Sequence, residues 1–312
     1  MTTKPTIGID VSKDHLDACR WPDGATLHVS NDARGHRQLI AWIGGDVARV
    51  VFEPTGAYHG ALERALGRAG IPHAKLNPAR VRRFAEAIGT QAKTDRVDAG
   101  LIARMGAMLE PAADEPRPQA LDELRELQLA RAALLRQRTA AKNRGERITL
   151  ALLRRQHARA LRALERDLAE LDAAIAALVE GDATLARRAA ILCSIPGISA
   201  VTAAAILAGM PELGALEPGA AACLAGVAPF TRQSGRWKRA ARIGGGRADL
   251  RRTLYMPALT AARFNPDLRT VYDRLRAAGK PAKVALVAVM RKLIILANTL
   301  IRDDREWTLT KP

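Results

Sequence analysis

The order of apolar patterns across residues 1–110 constrains the fold of this chain more than any other feature. Thr6–Val11 (TIGIDV) is a short apolar run with an aspartate inside it. His15–Trp21 and Ala25–Val29 read as two further strands around a Pro22-Asp23-Gly24 turn. A helical pattern over Arg34–Ile43 leads to a buried-type strand, Arg49–Glu53, and then to a helix from Tyr58 to Ala69 that Gly70 ends. A short strand at Pro72–Leu76 follows, with helices over Pro78–Ile88 and Thr94–Leu109. Three strands in succession, then helix–strand–helix–strand, describe an open mixed sheet flanked by helices, an α/β domain.

The rest of the chain changes character. Pro111–Pro118 (PAADEPRP) carries three prolines and marks a boundary, whereas residues 119–180 contain none. Leu161, Leu164, Leu168, Leu171, Ile175 and Leu178 recur in alternating steps of three and four, an a/d seam with charges on the other faces. So narrow a seam buries little alone, so the expectation is an intermolecular coiled coil, against a hairpin packed within one subunit. Gly145 is the expected bend between two arms. Residues 183–312 read as mainly α-helical, broken near Pro196-Gly197, Pro211, Pro218, Pro229, Gly244–Gly246, Pro266 and Gly279–Pro281. The expected organisation is an α/β domain over 1–117, a coiled-coil segment over 118–182 and a helical domain over 183–312.

Composition narrows the function. A net charge of +17 favours a polyanionic partner, nucleic acid or an anionic membrane surface. No run of about 18 apolar residues suggests a membrane span, and the N-terminus lacks the layout of a signal peptide. Three isolated cysteines (Cys19, Cys193, Cys223) support neither a disulfide framework nor a cysteine zinc site, and point to a reducing cytoplasm. Neither a P-loop nor a dinucleotide-binding glycine pattern is present.

Two sets of residues could carry chemistry. Asp10 lies within an apolar strand, where a carboxylate is costly unless paired or metal-bound. Glu53 ends a second apolar strand, and Asp95 and Asp98 stand three apart at a helix start, on one face. Together they would form an oxygen-only pocket suited to Mg²⁺, or Mn²⁺, rather than zinc. Taken singly, Asp95 and Asp98 are also ordinary helix-start residues, and Glu53 is also a solvent-facing strand end. The second set is Thr231–Arg252. Here Arg232, Arg236, Lys238, Arg239, Arg242, Arg247, Arg251 and Arg252 face one acidic residue, Asp249, with Trp237 and Gly244–Gly246 interleaved. This reads as a basic loop that binds nucleic-acid phosphates, its glycines allowing close backbone approach. On spacing alone Ser234, within it, is a phosphate contact or an inert serine, because a hydroxyl is a weak nucleophile without activation. A weaker feature is Ile195-Pro196-Gly197-Ile198 opening a helix, either a helix-hairpin-helix-like turn or a plain helix break.

Across nearly its whole length the chain resembles the DEDD transposases of the insertion-sequence-110 type, which include the pilin-gene invertases. The resemblance rests on IGIDVSKD, VVFEPTGAYH and KTDRVDAGLIARM in the first half. In the second half it rests on SIPGISAVTAAAIL, APFTRQSGRWKRAARIGGGRADLRRTLYMPAL and LRAAGKPAKVALVAVMRKLI. It implies an RNase-H/RuvC-like N-terminal domain in which Asp10, Glu53, Asp95 and Asp98 are the metal-binding set. It further implies that Ser234 is the nucleophile of a covalent phosphoserine link to DNA. Partners implied are a structured non-coding guide (bridge) RNA, donor and target DNA, and further copies of the chain as a dimer of dimers. Active sites would then join the acidic domain of one subunit to the serine domain of another. The expected setting is the bacterial cytoplasm, at the nucleoid. Two other readings stay open: a RuvC-like, metal-dependent junction endonuclease using water, and a non-catalytic nucleic-acid-binding protein.

Overall fold

The structure is a computed structural model that describes residues 4–54, 58–89, 95–114, 118–231, 233–234, 237–238 and 241–309, without the side chains of 95–97, 233–234 and 237–238. The chain divides into two compact units, Met1–Pro116 and Arg117–Pro312.

The first unit is a five-stranded sheet with helices on both faces. Strands β1 (Thr6–Val11), β2 (His15–Trp21) and β3 (Thr26–Ser30) form an antiparallel meander. Helix α1 (Ala33–Ile43) then leads to β4 (Arg49–Phe52), and α2 (Gly60–Arg68) to β5 (His73–Lys75). Strand order is β3-β2-β1-β4-β5, with β1, β4 and β5 mutually parallel. This mixed sheet is consistent with an RNase-H-like domain, and each strand and helix lies within a residue or two of its sequence expectation. Helices α3 (Pro78–Ala87) and α4 (Asp95–Leu109) complete the unit.

Side-chain alternation divides the sheet's faces. Ile7, Ile9 and Val11 of β1, with Val50 and Phe52 of β4, pack with Leu39 and Ile43 of α1 and Leu62 and Leu66 of α2. Val51 and Ala74 face the other way, with Val81 of α3 and Leu101, Ile102 and Met105 of α4. Gly8 belongs to this second face. A Cβ there would lie 2.2 Å from the Ala103 backbone nitrogen and 2.3 Å from the Ala99 carbonyl oxygen, so α4 rests directly on the β1 backbone. Gly106 meets Thr6 and Val51 in the same way further along.

The second unit is mainly helical. Helices α5 (Gln119–Gly145) and α6 (Ala151–Gly181) pack on each other and turn back after Gly145, which abuts the His157 ring. The heptad seam therefore meets α5 of the same chain: Leu168 and Ile175 are buried, while Leu161, Leu164, Leu171 and Leu178 are half-buried. Arg131 of α5 ties the pair, its Nε donating to Asp172 of α6 at 2.5 Å. Of the two alternatives the sequence left open, the hairpin packed within one subunit is present here, and the half-buried seam residues are covered only in part by it.

Helices α7 (Ala183–Ser194), α8 (Ala200–Gly209) and α9 (Pro218–Leu224) follow, then β6 (Pro229–Phe230), β7 (Gln233–Ser234), β8 (Trp237–Lys238) and β9 (Arg242–Ile243). The chain ends in α10 (Ala248–Thr253), α11 (Tyr255–Phe264), α12 (Pro266–Ala277) and α13 (Ala282–Arg302). By length and composition alone α13 could cross a membrane. Here it is the central helix of the unit's core, packed on α7, α9, α11 and α12 with Leu286, Val289, Leu293, Ile294 and Leu300 buried. Leu121, Leu124 and Ile175 join that same core, so one end of the α5–α6 hairpin is built into it.

Candidate active site

Parallel pairing places the carboxylates of the first unit. Ile9 of β1 pairs with Phe52 of β4, so the next residues, Asp10 and Glu53, stand side by side where the parallel strands end. Asp10 is two residues beyond Gly8 and Glu53 two beyond Val51, which puts both on the α4 face. Helix α4 runs antiparallel to β1, since Ala99 and Ala103 lie over Gly8 whereas Gly106 lies over Thr6 and Val51. Its first turn therefore lies toward the C-terminal end of β1, bringing Asp98 to the strand end that carries Asp10 and Glu53. All three are half-buried and engaged in polar or electrostatic interactions. Asp95 opens α4 one helical turn earlier, its side chain outside the described residues.

The donor chemistry of this sheet end fits a hard divalent cation: oxygen ligands only, on rigid elements, with no histidine or thiolate among the predicted set. Among the described residues no three His, Cys, Asp or Glu are gathered tightly enough to hold an ion. A complete group therefore depends on Asp95. Sequence reasoning missed two features of this end. Lys75 closes β5 in register with Phe52, and its ammonium is held by Glu63 and, at 3.0 Å, by Asp114. That network lies on the Phe52 face, opposite the one that carries Asp10 and Glu53, and pins β5 to α2. Gly8 is the second. It is legible afterwards as the single glycine in an apolar strand, a usual mark of close backbone approach.

The serine of the second unit lies on a β-ribbon, where a loop was expected. Ser234 in β7 pairs with Trp237 in β8, and nested outside them in sequence Phe230 of β6 pairs with Arg242 of β9. The missed signal was two short runs separated by Gly235-Arg236, a glycine-first spacing typical of two-residue hairpins.

The basic residues divide by role. Arg242 is exposed on β9. Arg247 is clasped by Glu212, its Nη1 and Nη2 donating to the carboxylate at 2.8 and 2.7 Å, while Nη1 also donates to the Gly209 carbonyl at 2.8 Å. Arg251 Nη1 donates to the carbonyls of Gly226 and Gly245 at 3.1 and 3.0 Å. Arg252 is exposed and pairs with Asp249. Arg232, Arg236 and Arg239, and the side chains of Ser234 and Lys238, lie outside the described residues.

The glycine run has a structural use that sequence reasoning assigned to a ligand. Gly246, at φ +60°, packs so closely on the turn after α9 that a Cβ would lie 2.4 Å from the Gly226 nitrogen and 2.5 Å from the Cys223 carbonyl oxygen. The ribbon's base is therefore a backbone-to-backbone joint, clamped by Arg247 and Arg251. The Pro196-Gly197 turn likewise serves packing, because Gly197, at φ +112°, lies against Pro257 and Ala261 of α11. Ser199 caps α8 by accepting from the Thr202 amide.

Comparison with known proteins draws both regions into one frame. A family model for DEDD transposases of the IS110 type matches residues 7–150, and one described as a transposase of the IS116/IS110/IS902 family matches residues 189–273. The pilin gene-inverting protein of Moraxella bovis is 29% identical over 323 aligned residues spanning 98% of each chain. Its Moraxella lacunata counterpart is similar to the same extent. A 43.6 kDa protein of insertion element IS110 from Streptomyces coelicolor is 33% identical over 160 residues, half of this chain and 38% of that one.

Proposed function

The chain belongs to the IS110 family of transposases, enzymes of DNA phosphoryl transfer, and from that membership we propose that it cuts and rejoins DNA through a covalent link to Ser234 under the direction of a guide RNA. The observation that supports the proposal is the presence of two regions in one chain: Asp10, Glu53 and Asp98 on the same end and face of one sheet, and Ser234 on a ribbon within a basic segment.

Asp10, Glu53, Asp95 and Asp98 would hold Mg²⁺ or Mn²⁺. When bound, such ions polarise the scissile phosphate and lower the cost of charge on the attacking and leaving oxygens. The chain's own residues supply the rest. The Ser234 hydroxyl attacks phosphorus, so a P–O bond forms to Oγ as the ester bond to a deoxyribose oxygen breaks. The serine gives up its proton, and the departing oxygen takes one up. The second strand exchange reverses this at the new end. Ester bonds are conserved throughout, so joining needs no ATP. Exposed Arg242 and Arg252, with Arg232, Arg236, Lys238 and Arg239, would neutralise backbone phosphates. Arg247 and Arg251 would reach phosphate from the joint at the ribbon's base.

The reading extends to assembly and specificity. The acidic unit of one subunit would work with the serine unit of another, in a dimer of dimers whose contacts include the half-buried α6 seam. Base pairing with a guide RNA would choose donor and target, leaving the protein to read shape and backbone. The enzyme would act at the bacterial nucleoid.

The test is co-expression with the element's flanking DNA, purification, sequencing of bound RNA, and incubation with a nicked donor that cannot religate. The expected result is one discrete RNA and a denaturation-resistant protein–DNA adduct mapping to Ser234, absent from Ser234→Ala. Hydrolysed ends with no adduct, undiminished in Ser234→Ala, would replace it with a water-using junction endonuclease.

A further inference from the structure

A groove of about 610 Å³ lies between α5, α8 and α10 of the helical unit. Its floor is apolar, formed by Ala132 and Leu135 of α5, Ala208 of α8 and Leu250 of α10. Its rim is mostly cationic, with exposed Arg125 and Arg136 of α5 and Arg252 of α10, the last paired with the one acidic lining residue, Asp249, while Arg247 is held at one end by Glu212. The side-chain amide nitrogen of Gln128, in the groove wall, is buried and has no hydrogen-bond partner among the described residues.

An unmet buried amide is costly, and in an open groove it is a place where a ligand can supply the missing bond. An apolar floor beneath guanidinium groups matches a flat aromatic ligand bearing a negative charge, since arginine both stacks on aromatic faces and pairs with phosphate. A carboxamide that can present either its donor or its acceptor end suits the edge of a nucleobase. The groove also has a strand to draw on, because α10 follows directly in sequence from the ribbon that carries Ser234.

We infer that this groove holds one unstacked nucleotide of a bound strand, its base on the Ala132–Leu135–Leu250 floor, its edge read by Gln128 and its phosphate held by Arg125, Arg136 and Arg252. The inference rests on the nucleic-acid reading above and adds to it a second contact point, anchoring a strand beside the serine ribbon. A single base taken out of its stack and gripped this way sets the register of that strand without sequence readout along its length.

The experiment uses the full chain with adenosine and uridine 5′-monophosphates, their 2′-deoxy forms and inorganic phosphate, read by saturation-transfer NMR. Expected are saturation of the base protons and incomplete competition by phosphate. Binding should weaken about tenfold in Ala132→Phe, which fills the floor, and in Gln128→Leu, which removes the edge contact. A preference for the ribonucleotides assigns the anchored strand to RNA, tighter binding of the deoxy forms assigns it to DNA, and equal binding supports a groove that grips base and phosphate without reading the 2′-hydroxyl. Absence of base saturation, full displacement by phosphate, or unchanged binding in both variants with native circular dichroism overturns the inference. Because no recombination is read, such a failure leaves the Ser234 assignment standing.

Discussion

Asp10 and Glu53 occupy neighbouring register positions at the end of a buried parallel pair, fixed by alternation, by the Gly8 contact with α4 and by cores on both faces. Ser234 sits on a strand of two residues, in a ribbon whose order comes from a joint at its base, where Gly246 meets Gly226 and Arg247 meets Glu212. The carboxylate end is thus positioned by a domain core, and the serine end by a handful of local contacts. Charged ligands held in a rigid frame need no reorganisation when charge develops. If Ser234 is the nucleophile proposed above, a residue that accepts one strand end and passes it to another would gain from a support with fewer constraints. On the proposed reading, the two regions would divide catalysis into a fixed site and a carried one.

Substitutions that strike one region and spare the other test that division. Asp10→Asn should leave the fold intact and lower strand cleavage and joining by about a thousandfold or more, measured as product per hour on a nicked donor. Gly8→Ala should act through structure, because its methyl would collide with the Ala99 and Ala103 backbone. A loss of about 1–3 kcal/mol in the stability of the sheet unit is expected in chemical denaturation, with a fall in activity as α4 and Asp98 are displaced. In the ribbon, Gly246→Ala meets both a left-handed φ and backbone atoms at 2.4–2.6 Å. Gly244→Ala meets nothing within 4 Å. The first should cut joining with a smaller stability loss, about 1–2 kcal/mol, and the second should be near neutral.

Smaller effects sharpen the picture. Arg247→Ala breaks a bidentate pair that is about one-third exposed, so about 1 kcal/mol is expected after solvent screening. It should weaken DNA binding evenly across sequences, as salt titrations would show. The mildest expected effect concerns pH and the sheet unit alone. Burial holds the His36 imidazole below its ordinary 6.5, opposed by nearby Asp32. The folded state therefore takes up its proton later than the unfolded chain. The contribution of neutral His36 is fully present above pH 6.5 and is lost as pH falls below it toward the lowered value. Thermal unfolding between pH 7 and 5 should show a decline that His36→Gln flattens.

Legibility in the sequence follows the same division. Strands and helices of the sheet unit could be read from apolar runs, turn residues and helix ends, because burial on two faces imposes a strong pattern. The helix expected over Thr94–Leu109 is α4, Asp95–Leu109, and the strand expected over Arg49–Glu53 is β4, Arg49–Phe52. The carboxylates were legible because an aspartate inside TIGIDV violates the apolar rule. The ribbon left only the Gly235-Arg236 spacing as a mark, since two-residue strands carry no periodicity and its glycines and arginines look the same whether they meet phosphate or protein. The partner of the heptad seam was hidden for a related reason: α5 lacks a regular seam, and a seam does not say which chain covers it. Gln128 and Ala132 carry no sequence signal at all, their meaning arising only where α5 meets α8 and α10.

The most direct test of the two-region account is complementation between inactive subunits. Asp10→Asn and Ser234→Ala proteins, each expected to be inactive alone, would be co-expressed with the element's flanking DNA, co-purified with whatever RNA they bind, and assayed for strand joining on donor and target DNA. If one subunit's carboxylates serve another's serine, mixed assemblies contain sites with both groups intact, and joining returns to a sizeable fraction of wild type. Continued inactivity of correctly assembled mixtures would contradict that sharing and place both halves of each site within one chain.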